Sequence, residues 1–152
     1  REDDGQLIGY DAWGWGFAGI SFFFGTPSAP GCAYMNQVRV ENYFDDLDAG
    51  RFPVMRGFHY TEADLRLHLL FQELQGLSVS CSRYRRLFGR DLLADHRAVW
   101  QVLEDIGWVA VDDDLVTVEG DGIFYLPIVQ NLLAIERADT MRKERAAMAD
   151  VA

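Results

Sequence analysis

The sequence predicts an α+β protein that is mostly helical. Apolar residues recur at helical spacing through much of residues 59–140, between glycines that suit helix ends. Two β-rich runs flank an acidic turn at 112–114, which is typical of a hairpin. Residues 16–25 form an earlier apolar run, rich in glycine and phenylalanine, which favours a buried strand. With 49% apolar and 13% aromatic residues, the chain of 152 residues can bury a core.

Residues 1–58 differ in composition from the rest of the chain. We interpret the run at 16–25 as the last strand of a larger barrel, and residues 26–31 as a loop by their composition. Residues 40–49 predict a short linker helix that ends at Gly50. The predicted packing side of this helix consists of Tyr43, Phe44 and Leu47.

Three predicted helices follow. Thr61 and Asp64 suit a capping box at the start of the first helix, which ends at Gly76. Its predicted inner face consists of Ala63, Leu67, Leu70, Phe71 and Leu74. Ser82 is the predicted cap of the second helix, and the third helix ends at Gly107. The apolar positions of these two helices are Tyr84, Leu87, Phe88, Leu92, Val99, Leu103 and Ile106.

A hairpin and a last helix complete the order. Residues 108–111 and 115–118 form the two arms of the hairpin, and Pro127 suits the first turn of the last helix. The predicted inward residues of that helix are Ile128, Val129, Leu132, Leu133 and Ile135. Three helices, a hairpin and a closing helix predict a winged-helix-like domain over 59–140. The mixed charges beyond it predict a frayed helical tail at 141–152.

Charge and cysteine content narrow the function classes. The formal net charge of −10 argues against a nucleic-acid partner, because duplex binding needs clustered positive charge. The sequence lacks an apolar run of about 18 residues, and its polar start at 1–4 does not suit a signal peptide, so we expect a cytoplasmic protein without a membrane partner. Cys32 and Cys81 lie far apart and form no metal-binding motif.

Several short motifs occur in an order that resembles the carboxyl-terminal part of radical S-adenosylmethionine enzymes of the oxygen-independent coproporphyrinogen III oxidase type. The matching segments are 16–21, 34–36, 43–44, 50–53, the helices from 61 onward and the junction at 103–109. The resemblance implies a role in porphyrin metabolism, with S-adenosylmethionine and a [4Fe–4S] cluster in the full-length parent. The family binds its cluster through Cys-x-x-x-Cys-x-x-Cys, which this sequence lacks. We therefore expect this chain to be inactive alone and to require an amino-terminal barrel.

The resemblance also implies site residues. Ile20 lies where the final barrel strand of the family contacts S-adenosylmethionine, although it could equally be a core residue. Ser21, Tyr34 and Asn36 are candidates for substrate binding, and Asn36 could instead shape a turn. Arg39 could bind a substrate carboxylate, although a solvated surface arginine is the commoner case.

Other clusters favour structural roles. We expect the arginines at 83, 85, 86 and 90 to be solvated or to pair with Asp45, Asp46 or the 112–114 turn. His59, His68 and His96 share no metal-binding spacing. The aromatic residues Trp13, Trp15 and 22–24 suit a barrel core or a cap interface, and would promote self-association if exposed.

The function predicted from the sequence is a substrate-cap domain of a coproporphyrinogen III oxidase-like protein. The alternative is a module without enzymatic activity, either a winged-helix interaction domain or a haem- or porphyrin-binding protein. A DNA-binding regulator is disfavoured by the net charge of −10.

Overall fold

The computed structural model describes residues 9–149, except for the side chains of 136, 140 and 144–149. The chain divides after Leu65 into two compact units. Each unit contains one small antiparallel sheet of three strands, and the described residues form no closed barrel. No helix within this described part is long and apolar enough to cross a membrane.

The first unit is built on strands β1 (Ile20–Thr26), β2 (Ala29–Asn36) and β3 (Val54–His59), in that spatial order. A tight turn joins β1 to β2, and Thr26 Oγ1 accepts a hydrogen bond from Ala29 N at 3.2 Å in this turn. Helix α1 (Val40–Asp48) connects β2 to β3. Gly50 follows this helix with a φ of +68°, so the predicted stop is confirmed.

Several predictions for this unit are wrong. The strand begins at Ile20, because 16–19 form a turn in which Gly16 has a φ of +84°. The predicted loop is instead a hairpin, and Tyr34 and Asn36 lie in its second strand. Glycine is typical of loops, but here it permits close strand contact: a Cβ on Gly25 would lie 1.7 Å from Ala29 O.

The predicted packing residues of α1 are also wrong in part. Phe44 and Leu47 are 55% and 44% exposed, so they are not core residues of the described chain. The strand β1 is not fully buried either, since only Ser21 and Phe24 are buried in it. Strand β3 was not predicted, because all of its residues are exposed and it lacks an alternating apolar pattern.

The second unit begins within helix α2 (Glu62–Gln75), because the division between the units falls inside this helix. It continues with β4 (Ser78–Ser80), α3 (Cys81–Phe88), α4 (Leu92–Asp95) and α5 (Arg97–Asp105). The hairpin β5 (Val109–Val111) and β6 (Leu115–Val118) precedes α6 (Asp121–Phe124) and α7 (Leu126–Ala149). Strand β6 lies between β4 and β5 in the sheet.

Local signals predicted helix α2, with its start in the first unit, and the elements of the second unit better. The capping box is confirmed, because Asp64 N donates to Thr61 Oγ1 at 3.2 Å and Thr61 N donates to Asp64 Oδ2 at 2.9 Å. The hairpin is confirmed, as is the stop at Gly107, whose φ is +71°. The predicted third helix is two helices, since the backbone turns at His96 with a φ of −131°.

Other predictions for this unit need correction. The cap of α3 is Ser80, whose Oγ accepts from Arg83 N at 3.1 Å, and not Ser82. Ile128 and Ile135 are each 47% exposed, so they do not pack inward as predicted. Helix α7 runs through Ala149, in agreement with the helical character predicted for the tail, whose fraying stays a prediction; residues 150–152 lie outside the described residues.

The core of the second unit is apolar and almost fully closed. Its fully buried side chains include Leu69, Leu70, Leu74, Val79, Tyr84, Leu92, Leu103, Val116, Val129 and Leu133. Trp100 is 3% exposed, and its indole Nε1 donates to Leu92 O at 3.2 Å. Large buried indoles with a satisfied N–H are a strong source of stability.

Candidate functional site

Strand alternation separates the predicted site residues. Successive side chains of a strand point to opposite faces, so Ile20 and Ser21 cannot line the same face of the sheet. Ser21 lies opposite Tyr34 in the register of β1 and β2, whereas Ile20 lies opposite Met35. Tyr34 stacks on Phe23, two residues after Ser21, with 5.8 Å between ring centroids. Ser21 and Tyr34 therefore share one face, and Ile20 belongs to the other.

Ser21 and Asn36 hold a loop that we name the aromatic loop, residues 13–17. Ser21 Oγ accepts a hydrogen bond from Gly14 N at 3.0 Å. Asn36 Nδ2 donates to Gly14 O at 3.1 Å and to Gly16 O at 2.9 Å. Ser21 is 1% exposed and Asn36 is 6% exposed. The structure therefore brings these two predicted residues together, with their polar atoms directed at the backbone of the chain itself.

Further hydrogen bonds anchor the chain on both sides of the aromatic loop. Asp11 Oδ1 accepts from Phe24 N at 2.9 Å, and Ala12 exchanges two backbone hydrogen bonds of 2.9 Å with Phe22. After the loop, Ala18 N donates to Gln37 O at 2.8 Å. The segment that precedes the aromatic loop is thus bound to β1, and the segment that follows the loop is bound to the residue after β2. Asp11 was missed by the sequence analysis, because no motif signals a carboxylate that binds a distant strand.

The backbone of this region is sterically demanding. A Cβ on Gly14 would lie 2.4 Å from Ile20 N, so only glycine fits there. Ala18 has a φ of +56°, a left-handed conformation that is unusual for a residue with a side chain. Such strain persists only where the surroundings fix it, and it concentrates at functional positions.

The side chains of the aromatic loop are exposed although its backbone is fixed. Trp13, Trp15 and Phe17 are 62%, 87% and 55% exposed. Ile20, just beyond the loop, is 53% exposed. Trp13 also packs edge-on against Phe23, with 4.8 Å between ring centroids. This arrangement presents rigid apolar and aromatic surface, which can pack against a flat ring or another apolar surface.

The other two predicted site residues are Tyr34 and Arg39. Tyr34 is half-buried against Phe23. Arg39 is exposed at the position before α1, where its side chain makes no capping hydrogen bond. The bond from Ala18 to Gln37 O brings the end of the loop region to the segment that contains Arg39.

Arg83, Arg85 and Arg90 of the arginine cluster pair with carboxylates within the second unit. Arg83 pairs with Glu73, Arg85 Nη2 lies 2.8 Å from Asp91 Oδ2, and Arg90 Nη2 lies 2.7 Å from Asp95 Oδ1. Intramolecular pairing is therefore confirmed for these three, but the predicted partners are wrong. Hydrogen bonds from Arg90 chiefly, and from Tyr84, lower the pKa of Asp95.

The predicted acidic partners have other roles. Asp46 binds Arg51, with 2.6 Å between Arg51 Nη2 and Asp46 Oδ1. Asp114 accepts from Ser82 N at 2.7 Å, from Ser82 Oγ at 2.9 Å and from Ser80 Oγ at 3.0 Å. The bonds from Ser82 contribute most to lowering the pKa of Asp114. The hairpin turn is therefore fixed to the start of α3.

The donor set of this chain does not fit an iron–sulfur cluster. A [4Fe–4S] cluster of the radical S-adenosylmethionine type needs three thiolates, and the sequence contains two cysteines. Cys32 lies in β2 of the first unit and Cys81 at the start of α3 in the second unit. Within 9–149, no group of three His, Cys, Asp or Glu residues could hold a metal ion.

The fold is similar to part of a known enzyme. The solved structure described as "Coproporphyrinogen III oxidase (HemN) from Escherichia coli is a Radical SAM enzyme" matches with a TM-score of 0.64 at 20% identity. The match covers 83% of this chain and 29% of that chain, so this chain spans less than a third of its length. No family model and no curated protein sequence matches the chain. The predicted resemblance is thus confirmed at the level of the fold.

Proposed function

We propose that this chain is the carboxyl-terminal part of a coproporphyrinogen III oxidase-like radical S-adenosylmethionine protein. The observation that carries the proposal is the fold match over 83% of this chain to 29% of the HemN chain. The order of motifs in the sequence, from 16–21 to 103–109, points to the same family independently. Because the chain lacks the thiolates for a cluster, its role is to complete a site whose chemistry resides elsewhere in the parent.

We assign the aromatic loop to the closure of that site, and Ile20, on the other face of the sheet, to a separate contact at its edge. Trp15 and Ile20 present apolar surface on a fixed backbone, which suits the exclusion of water from a radical reaction. The exposed side chain of Ile20 can contact an adenine ring of S-adenosylmethionine. Ser21 and Asn36 act as positioning residues that fix the loop, whereas Tyr34 and Arg39 are the groups that can meet substrate carboxylates.

We further propose that residues 59–140 form a winged-helix-like cap. The order α2, β4, α3, α4, α5 and a hairpin supports this proposal, as does the sheet in which β6 lies between β4 and β5. The capping box at Thr61 and Asp64 lies just inside this boundary. Residues 1–58 then form the part that joins the cap to the barrel of the parent.

The test is the longer protein encoded by the same gene. We expect it to contain Cys-x-x-x-Cys-x-x-Cys upstream and, after anaerobic reconstitution, to cleave S-adenosylmethionine in the presence of coproporphyrinogen III. The Ile20→Asp variant should weaken S-adenosylmethionine binding, while Val38→Asp, at another exposed apolar residue, should not. A longer protein without the cysteine motif would contradict the proposal.

A binding module without enzymatic activity predicts a different result. In that case this chain alone should bind haem and shift its Soret absorption band. We expect no such shift, because the chain supplies only part of the site. A saturable shift would favour the porphyrin-binding alternative over the enzyme part.

A further inference from the structure

Strand β3 is an open edge of the first sheet. It lies outside β2 in the order β1-β2-β3, and among the described residues it pairs with β2 alone. All of its residues are exposed, and Phe58 is 57% exposed. An edge with free backbone groups and apolar side chains is a template for the addition of another strand.

The regular pairing of this edge runs from Arg56 to His59, and Tyr60, which is only 8% exposed, continues the ladder by one hydrogen bond. A register shift between Met35 and Asn36 ends the regular pairing near Val54. Tyr60 N donates to Gly31 O at 2.9 Å, so this pair is a hydrogen-bonded pair of the antiparallel ladder. Because such pairs alternate, Phe58 faces Ala33 with its backbone groups. The N–H and C=O groups of Gly57 and His59 therefore point to the open side.

We propose that β3 pairs antiparallel with β3 of a second copy of this chain, with the two-fold axis at Phe58. In this register Gly57 of each copy exchanges hydrogen bonds with His59 of the other copy. The two sheets then form one continuous sheet of six strands. The proposal concerns this chain and does not depend on the proposed enzyme function.

The chemistry of the edge selects a second copy as the occupant. A two-fold interface requires a surface that complements itself, and an axis at Phe58 sets the open backbone donors and acceptors of Gly57 opposite those of His59 in the second copy. Phe58 lies opposite itself in a pair without backbone hydrogen bonds, where side chains approach most closely and aromatic pairs are favourable.

Charge also favours this register. Arg56 lies opposite Tyr60 of the second copy, so like charges are not opposed. A register centred on Arg56 would oppose two guanidinium groups. Strand β3 contains no acidic residue, so the repulsion expected from a chain with a net charge of −10 is absent along the edge itself.

Light scattering after size-exclusion chromatography tests the assembly over a dilution series. We expect wild-type protein to reach about twice its mass of 17.3 kDa at high concentration. Phe58→Lys should remain monomeric, because two ammonium groups would lie directly opposite each other. Phe52→Lys, at a residue 87% exposed but outside β3, should still dimerise. A monomeric wild type, or a dimer unaffected by Phe58→Lys, would overturn the proposal.

Cross-linking provides a second measurement, in which a disulfide traps the paired copies even if the lost Phe58 pair weakens their association. The Phe58→Cys variant should give a covalent dimer under mild oxidation, because the two introduced thiols would lie close enough across the axis to form a disulfide. Val54→Cys, at a residue 40% exposed beyond the regular segment, should not. Wild type, with Cys32 and Cys81, sets the background. Equal cross-linking of both variants would contradict the register.

Discussion

Asn36 has the most specific contacts of the predicted site residues. Its amide bridges two carbonyls of the aromatic loop, Gly14 O and Gly16 O, from a position that is 6% exposed. Because Asn36 is nearly buried, water cannot readily supply these two hydrogen bonds when the side chain is shortened. Asn36 thus links the end of β2 to the conformation of residues 13–17.

Replacement of Asn36 by Ala should therefore destabilise the first unit by about 1–3 kcal/mol, because the two loop carbonyls lose their donor. The free energy of unfolding, followed by tryptophan fluorescence in denaturant, measures this loss, since Trp13 and Trp15 lie on the loop. The control is Asn42→Ala, at an exposed position of α1, with an expected change within about 0.5 kcal/mol. Equal effects of the two substitutions would refute the anchoring role.

His68 is a second residue with a measurable signature. Burial in α2 lowers its pKa to about 4 from an ordinary value of 6.5. The unfolded chain therefore takes up a proton as the pH falls below about 6.5, whereas the folded chain does so only near 4. The free energy of unfolding should therefore fall by up to about 1.4 kcal/mol for each pH unit as the pH is lowered through this range.

Unfolding in urea at pH 7 and pH 5 tests this dependence. We expect His68→Gln to reduce the difference in unfolding free energy between the two pH values, whatever its effect at pH 7. The pKa values of Asp95 and Asp114 lie below the ordinary value of 3.8, so these carboxyl groups change the unfolding free energy only at a lower pH than the two compared here. His59→Gln on the exposed strand β3 serves as the control. An unchanged pH dependence in His68→Gln would contradict the assignment.

At the scale of elements, the start of α3 shows how strand pairing determines which serine caps the helix. Both Ser80 and Ser82 precede or begin the helix, and both bind Asp114. Only Ser80 accepts from Arg83 N, the backbone group that a cap must satisfy. The strand β4 ends at Ser80, so tertiary pairing with β6 fixes which serine takes that position.

Ser80→Ala should consequently cost about 1 kcal/mol of unfolding free energy, through the lost cap. Ser82→Ala keeps its backbone bond to Asp114 and should cost less, within about 0.5 kcal/mol. Thermal unfolding followed by circular dichroism would rank the two variants. A larger loss of unfolding free energy in Ser82→Ala would indicate that Ser82 caps α3, as predicted from the sequence.

The elements that sequence reasoning found are those with local signals. The capping box of Thr61 and Asp64, the stop at Gly107 and the hairpin around 112–114 each depend on neighbouring residues. Strands β2 and β3 were missed because their pairing joins distant residues, and because the glycine of β2 resembles loop composition. The predicted roles of the site residues stay predictions: Ser21 and Asn36 meet at one loop, but strand alternation places Ile20 on the other face.

At the scale of the whole molecule, buried and exposed apolar residues are unevenly distributed. Most of the fully buried side chains belong to residues 66–149, including Leu74, Tyr84 and Leu103. The first unit contributes many exposed ones, such as Trp15, Phe44 and Phe52. A unit with a closed core can fold alone, whereas a unit with exposed apolar surface depends on a partner for stability.

A fragment of residues 59–149 should therefore fold cooperatively without the first unit, and this outcome would support the proposed domain boundary. It retains the capping box of α2 and the buried side chains of the second unit. In this fragment Leu103→Ala should lose about 2–5 kcal/mol of unfolding free energy, because it opens a cavity in the core. Val102→Ala, one residue away on α5 but 54% exposed, should change it little. A fragment that melts without cooperativity, or that responds equally to both substitutions, would show that its core requires the first unit.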